Sequence, residues 1–360
     1  MARRRPHRSL FTFSAIRLLI CLVLLAVLVG AYFIVPRFIN LNTTADSDAP
    51  ALVWHTVDVG QGDCTIVQFP DDKVLMVDTG KPDAYTTIVK YLQNLHITTI
   101  DWLVISHPDD DHYGAAPKLL ANNSLTFKAK YCSDYLTRDK DETKKKTYRK
   151  MLDSYAFTVP EVGERIPGDN YTITFVSPAA DDKISSTNLS NNTSLMMTIE
   201  FYNKIFVLTG DASDGTESHG TNVEQYFIDH ATDLGLFTNT LNQQIILKVG
   251  HHGSASSSGD EFLAFIFGAN PQNNFALISC GEGNTYGHPT AAALARLGKY
   301  CAADNILVTK DVGDIVVTAG ESTLTINGKD YRLSYTMIFV GIGVAIVVLC
   351  FFNYGLRERR

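Results

Sequence analysis

Short apolar, β-branched runs recur along this chain, and five of them end in glycine, aspartate or histidine. Residues 52–57 lead into Asp58-Val59-Gly60-Gln61-Gly62-Asp63, and Val74–Val77 into Asp78-Thr79-Gly80. Trp102–Ile105 lead into Ser106-His107-Pro108-Asp109-Asp110-Asp111-His112-Tyr113-Gly114. Ile205–Leu208 lead into Thr209-Gly210-Asp211, and Ile245–Val249 into Gly250-His251-His252-Gly253-Ser254. Taken singly, the 58–63, 78–80 and 209–211 turns read equally as site loops or as ordinary glycine turns and helix caps, whereas the 106–114 motif already points to a metal and the paired histidines of 250–254 to a ligand or catalytic role. Together they predict one site, because strand C-termini are where α/β-type folds gather functional residues. Loops on a rigid sheet also give the fixed donor geometry that metals require. The densest motif places two imidazoles and three carboxylates within residues 107–112, enough to hold one or two divalent ions.

Hairpins and strand–helix alternations are mixed in both halves of the chain. Cys64–Phe69 and Lys73–Val77 read as a hairpin across Pro70-Asp71-Asp72. Helical spacing marks Asp83–Leu95 and residues 113–121, 222–235, 259–267 and 290–300. Further strands are expected at Tyr171–Val176, Leu195–Phe201, Phe275–Ser279, 305–309, 313–318 and 322–327. The lysine-rich stretch Lys128–Lys150 reads as a solvated helix face, with a substrate-facing basic patch as the alternative. The pattern predicts an α/β (α+β) domain over 52–330, two packed sheets with helices outside, a four-layer αββα arrangement.

Two longer apolar runs flank that domain. Residues 18–35 carry no charge and follow the basic segment 1–17. About 18 residues suffice for a transmembrane helix, and a cleaved leader would have a shorter apolar core of ~7–15 residues. Residues 333–356 form the second uncharged run, with Tyr335 and Tyr354 near its ends, before the tail 357–360. The arginines at both ends place both termini in the cytoplasm. The expected protein is therefore a two-pass cell-membrane protein, its domain tethered through 36–51 on the extracytoplasmic side. Formal net charge is −7; removing the +6 of residues 1–45 and the +2 of 333–360 leaves −15 for residues 46–332. Cys64, Cys132, Cys280 and Cys301 have no metal-type spacing, and a disulfide among them is open if the domain is extracytoplasmic.

The motif order DVGQGD, DTG, SHxDxDHxG, NNxSL, TGD, KVGHHGS and GHP resembles the metallo-β-lactamase superfamily, and more narrowly the extracellular hydrolase domain of ComEC-type competence proteins. The resemblance runs over about residues 52–320. It implies the αββα fold and a binuclear metal hydrolase, with His107 and Asp109 at one metal, Asp111 and His112 at the other, and Asp211 between them. Asp109 stands where the superfamily more often has a second histidine, and Asn192 lies where a further histidine is usual. Harder oxygen donors favour Mn²⁺, with Zn²⁺ or Mg²⁺ as the other candidates for the two divalent ions.

The expected function is metal-dependent hydrolysis of phosphoester bonds, as a DNase or phosphodiesterase related to competence proteins. Asp111 and Asp211 combine metal and catalytic roles. His251 is placed as a metal ligand, with His252 and His288 as proton donors or phosphate contacts, although sequence leaves the order of the His251–His252 pair open. Asp58, Gln61, Asp63, Asp78, Asn192, Gly253 and Ser254 are expected at the substrate or behind the ligands. A domain of net charge −15 repels a polyanion, so a small or cell-envelope phosphodiester is the runner-up substrate. A non-catalytic, membrane-tethered binding module is the rival outside enzymes. Two spans alone cannot form a DNA pore, so any transport role would need a separate channel or competence protein as partner.

Overall fold

The computed structural model describes residues 22–31, 51–216, 220–238, 243–331 and 342–346. The chain divides into a unit of residues 45–333 and a second unit of residues 1–44 with 334–360. In the second unit, residues 22–31 and 342–346 are helical. A Cβ on Gly343 would lie 3.1 Å from the Leu28 side chain. No helix among the described residues is long and apolar enough to cross a membrane; of the expected spans 18–35 and 333–356 only 22–31 and 342–346 are described, and the remainder lies outside the described residues.

The larger unit is built from two sheets, one of eight strands and one of seven. The first five strands, β1 (Leu52–Thr56), β2 (Thr65–Gln68), β3 (Val74–Val77), β4 (Thr99–Ile105) and β5 (Thr126–Cys132), belong to one sheet. The next seven form the other: β6 (Arg165–Pro167), β7 (Tyr171–Phe175), β8 (Met197–Phe201), β9 (Lys204–Leu208), β10 (Gln244–Lys248), β11 (Asn274–Ile278) and β12 (Ile306–Val308). The chain then returns to the first sheet with β13 (Ile315–Ala319), β14 (Leu324–Ile326) and β15 (Lys329–Asp330), β13 pairing with β1. The first sheet is antiparallel through β1, β2 and β3 and parallel through β3, β4 and β5. The second is antiparallel through β6–β9 and parallel through β9–β12. The parallel strands β9, β10 and β11 are buried along their whole length, as strands covered on both faces must be.

Apolar side chains of both sheets meet between them, where Trp54 stacks on Phe206 at 5.3 Å and Phe69 on Tyr171 at 3.9 Å. A second core lies under helices Val223–Asp233, Asp260–Ile266 and Ala291–Tyr300, and a third under Tyr85–Asn94, Ala116–Leu120 and Lys146–Tyr155. The arrangement is four-layered, helices on each outer face of two sheets, as the pattern predicted. Side-chain caps hold two of these helices, Asn222 accepting from Gln225 N and Thr290 from Ala293 N.

Two local expectations change. Residues 128–132 are not helix but the end of β5, the edge strand of the first sheet. Lys128 and Lys130 alternate there with Phe127, Ala129 and Tyr131, and Thr158 bridges the outer side of residues 130–132. The helix expected at 113–121 is two short ones, Asp110–Tyr113 and Ala116–Leu120, and the first begins inside the acidic motif. The four described cysteines are free and buried.

Trp54 fills the space between the sheets and donates its indole N–H to Thr56 Oγ1 at 2.9 Å. Trp54→Ala is expected to destabilise the domain by about 3–5 kcal/mol. Urea unfolding curves would record it, and an unchanged midpoint would contradict this packing.

Candidate metal centre

All five strand-end motifs meet on one rim. β3 and β4 run parallel, so Asp78 and Ser106 leave the first sheet side by side. β9 and β10 run parallel in the second, so the 209–211 and 250–254 turns do the same. Backbone hydrogen bonds then tie the loops together: Asp63 N to Asp111 O at 3.0 Å, Thr79 N to His112 O at 2.6 Å and His251 N to Gly210 O at 3.1 Å. Leu195 N donates to Ser106 O at 2.8 Å, linking the two sheets at the site. Gly62 has φ +154°, and a Cβ there would stand 2.6 Å from Asp111 O. The glycine of the first motif is thus required for it to lie against the third.

Asp78 is buried and organises the third motif. Its Oδ1 accepts from Ser106 N at 2.8 Å, and its Oδ2 accepts from Ser106 Oγ at 2.7 Å. Oδ2 also lies 2.8 Å from His112 Nδ1. A carboxylate there puts the proton on Nδ1 and leaves Nε2 as a donor directed inward. His112 Nε2 lies 3.2 Å from Asp211 Oδ1, and His107 Nε2 lies 3.8 Å from Asp211 Oδ2 and 3.6 Å from Asp109 Oδ2. His252 Nε2 lies 3.5 Å from Asp111 Oδ2 and 3.9 Å from Asp211 Oδ2. His252 Nδ1 sits 3.0 Å from Ser279 O and 3.1 Å from Asp63 Oδ1.

Buried donors converge without hydrogen-bond partners of their own: His107 Nε2, His112 Nε2, His252 Nε2 and Asp211 Oδ1. Such groups are costly to bury unsatisfied. His107, His112 and Asp211 offer ligand atoms mutually within 4.8 Å, and so do Asp63, His112 and His252. In the second group Asp63 Oδ2 already carries Lys248 Nζ at 2.5 Å, so Asp63 is positioned to act on His252. Imidazole and carboxylate atoms in this disposition fit divalent cations.

The charges support one another. Burial raises the carboxyl pKa of Asp211, but His112, His251, His252 and His107 outweigh it and hold the group well below its ordinary value. Burial lowers the His112 pKa, and Asp211 and Asp78 reverse the sign to well above normal. His252 is likewise lowered by burial yet pushed up to about 10 by Asp63 and Asp211. His288 goes the other way: burial, then the nearby His251 and His252, push it down to about 4.

His251 and His252 both adopt left-handed backbone conformations, with φ of 48° and 54°. For residues with a Cβ this is a strained conformation of the kind found at functional sites. It turns the two rings to different places. His252 is buried among Asp63, Asp111 and Asp211, whereas His251 is 22% exposed with Nε2 3.6 Å from Asp211 Oδ2. His288 lies beside this pair, its ring 5.6 Å from that of His251 and its buried Nδ1 unpartnered.

Other sequence-selected residues stand further back. Asp58 Oδ1 accepts from Gly60 N at 3.1 Å, and Gln61 Oε1 accepts from Gly281 N at 3.3 Å, so both shape the first loop. Asn192 is buried and donates to Thr187 O at 3.0 Å. Gly253 packs on Pro289, where a Cβ would come within 2.6 Å, and Ser254 Oγ lies 3.1 Å from Ser256 Oγ. Sequence reasoning missed Ser106, Lys248 and the pair that holds Asp109. Lys145 Nζ and Ser190 Oγ both donate to Asp109 Oδ1. The signal for Lys248 was a lysine closing a strand otherwise buried throughout.

Residues 57–267 match the family described as the Metallo-beta-lactamase superfamily. The chain belongs to this superfamily. Membership implies divalent metal ions, which the converging donors fit. Among curated proteins the chain is similar to ComE operon protein 3 of Bacillus subtilis, 27% identical over 261 residues that cover 68% of this chain and 30% of that protein. It is similar to Recombination protein 2 of Haemophilus influenzae, 27% identical over 269 residues, 73% of this chain and 29% of that protein. It is also similar to competence protein ComA of Neisseria gonorrhoeae, 25% identical over 296 residues, 77% and 36%. The chain thus spans about a third of the length of the curated relatives it matches. Among solved structures, unliganded yeast PDE1 aligns over 71% of this chain and 97% of its own, with TM-score 0.47 and 9% identity. YhfI of Bacillus subtilis aligns over 75% and 100%, with TM-score 0.40 and 14% identity. The likeness to competence proteins agrees with the motif order.

The buried Lys248–Asp63 pair supports His252 and so carries part of the stability of the centre. Lys248 and His252 outweigh the burial of Asp63 and depress its pKa. Folding therefore gains from the pair above the ordinary carboxylate range and loses that gain as pH falls, when the unfolded chain takes up the proton first. In metal-stripped protein, Lys248→Met is expected to cost about 3–5 kcal/mol at pH 7 and to flatten the acid limb of the stability profile. Urea midpoints between pH 3 and pH 7 would measure both, and a parallel downward shift at every pH would contradict the pairing.

Proposed function

We propose that this protein is a metal-dependent phosphodiesterase, with nucleic acid its foremost substrate, anchored in a membrane by its apolar ends. The observation that supports it most is the convergence of unpartnered His107, His112 and His252 Nε2 atoms on Asp211. In this reading His107, Asp109, Asp111, His112, Asp211 and His252 would hold the divalent ions. The expected order of the histidine pair is exchanged, because His252 is the buried ring with its Nδ1 facing Asp63 and Ser279 O, and His251 stands at the mouth. Divalent ions there would polarise a phosphoryl oxygen and lower the pKa of water.

The chain's own residues do the rest. Asp78 and Asp63 fix the tautomers of His112 and His252. His251, partly exposed beside Asp211, is placed to donate a proton to the leaving oxygen. His288 is neutral near pH 7 and offers a hydrogen bond to a phosphate oxygen rather than a charge. Asp109, with one oxygen taken by Lys145 and Ser190, presents the other toward His107, a hard donor that favours Mn²⁺ over Zn²⁺.

The full chain in detergent is expected to bind Mn²⁺ and cleave bis-p-nitrophenyl phosphate. Asp211→Asn and His252→Ala should each lower turnover by about a hundredfold or more, beyond the ~10–100-fold typical of residues behind the ligands. Asp109→His should move metal preference toward zinc. Wild type with neither bound Mn nor Zn, and no cleavage with added Mn²⁺, would reject the reading. For anchoring, two spans with both termini cytoplasmic predict that a C-terminal tag survives protease added to intact cells; its digestion would exclude that topology.

A further inference from the structure

An open cleft of about 690 Å³ adjoins the metal centre, within the ~300–1,000 Å³ of ligand sites. Asp109 and Asp111 line it together with Lys81, Lys145, Lys146 and Tyr286. The acidic charge of the domain as a whole is not the charge here. Three lysines balance Asp109, Asp110 and Asp111 before any divalent ion is counted. Lys145 is committed to Asp109. Lys81 and Lys146 form no ion pair with any described residue, so they face the cleft as uncommitted cations.

Tyr286 completes the opposite character. It is 64% exposed, and its ring stacks on His288 at 5.7 Å with 25° between planes. One ring face is therefore backed by the histidine, and the other is open to a planar partner. Cations that track a backbone, combined with an aromatic platform for bases, are the elements of single-strand recognition. Bases in the interior of a duplex are already stacked on their neighbours and cannot use that platform.

We propose that this cleft binds single-stranded nucleic acid, Lys81 and Lys146 contacting successive phosphates and Tyr286 stacking a base beside the phosphodiester presented to the centre. The proposal rests on the phosphodiesterase reading and narrows its substrate class. In this arrangement part of the lysine-rich stretch, Lys145 and Lys146, faces substrate.

The test uses the full chain in detergent with Mn²⁺ and a fluorescent phosphorothioate 15-mer of thymidine, which resists cleavage, followed by anisotropy over a range of salt. Wild type is expected to bind this strand at least tenfold more tightly than a 15-base-pair phosphorothioate duplex. Lys81→Glu with Lys146→Glu should raise Kd at least tenfold and reduce the salt slope by about 1.4, two phosphates at ~0.7 each. Tyr286→Ala should raise Kd at least fivefold without changing the slope, and Tyr286→Phe should restore tight binding. Variants within twofold of wild type at unchanged slope, or a duplex bound as tightly as the strand, would overturn the proposal. Hydrolysis of bis-p-nitrophenyl phosphate by the same wild-type sample reports separately on the phosphodiesterase reading, whose failure would leave these binding results standing on their own.

Discussion

One buried carboxylate sets the geometry on which the centre depends. Asp78 leaves β3 in a left-handed conformation, φ 59°, and accepts the Ser106 backbone N–H and hydroxyl while facing His112 Nδ1. These contacts fix the start of the 106–114 motif and the orientation of its last imidazole together. Without them the motif would be an acidic turn with freely rotating histidines. With them, His112 Nε2 has one direction, toward Asp211 across the gap between the sheets.

The second sheet answers with the same device in different chemistry. His252 is held from behind by Asp63 and Ser279 O, and Asp63 is in turn held by Lys248. Each of these two central imidazoles thus has a carboxylate at its back and the shared Asp211 in front. The strain at residues 251 and 252 is maintained by the surrounding turn, with His251 N and Ser254 N both hydrogen-bonded. Rigid strands deliver the ligand-bearing loops, and polar contacts behind them set the last few tenths of an ångström.

Much of this was legible in the sequence because it is local. The motifs sit at strand ends, and strand ends are marked by where apolar alternation stops and glycine begins. The layered fold followed from hairpins mixed with strand–helix units. What was not legible is long-range pairing. Lys248 lies 185 positions from Asp63, and nothing near either residue announces the other. Lys145 and Ser190 reach Asp109 from separate loops, so a carboxylate with one oxygen already engaged looked like a free donor. The order of His251 and His252 depends on two left-handed residues in a row, a conformation that no side-chain pattern encodes. Lysines on alternate residues of β5 resembled a helix face because strands and helices place the same residue type at their solvated positions.

The return of the chain to its starting sheet has a consequence for how the domain can be made. β1 lies between β2 and β13, and Leu52 pairs with Ala319. Until that late segment has been synthesised, one long side of β1 has no partner, although the residues of all five motifs already exist. Asp58 N, at the entrance to the first motif, is held by Asp314 Oδ1 from the same late segment, at 2.7 Å. A ribosome must therefore release almost the whole domain before the first loop can lock, and a pairing across so many residues closes slowly. The exposed side of β1 is meanwhile open to strands of other molecules, so the interval between synthesis and closure is when this chain is most prone to aggregate.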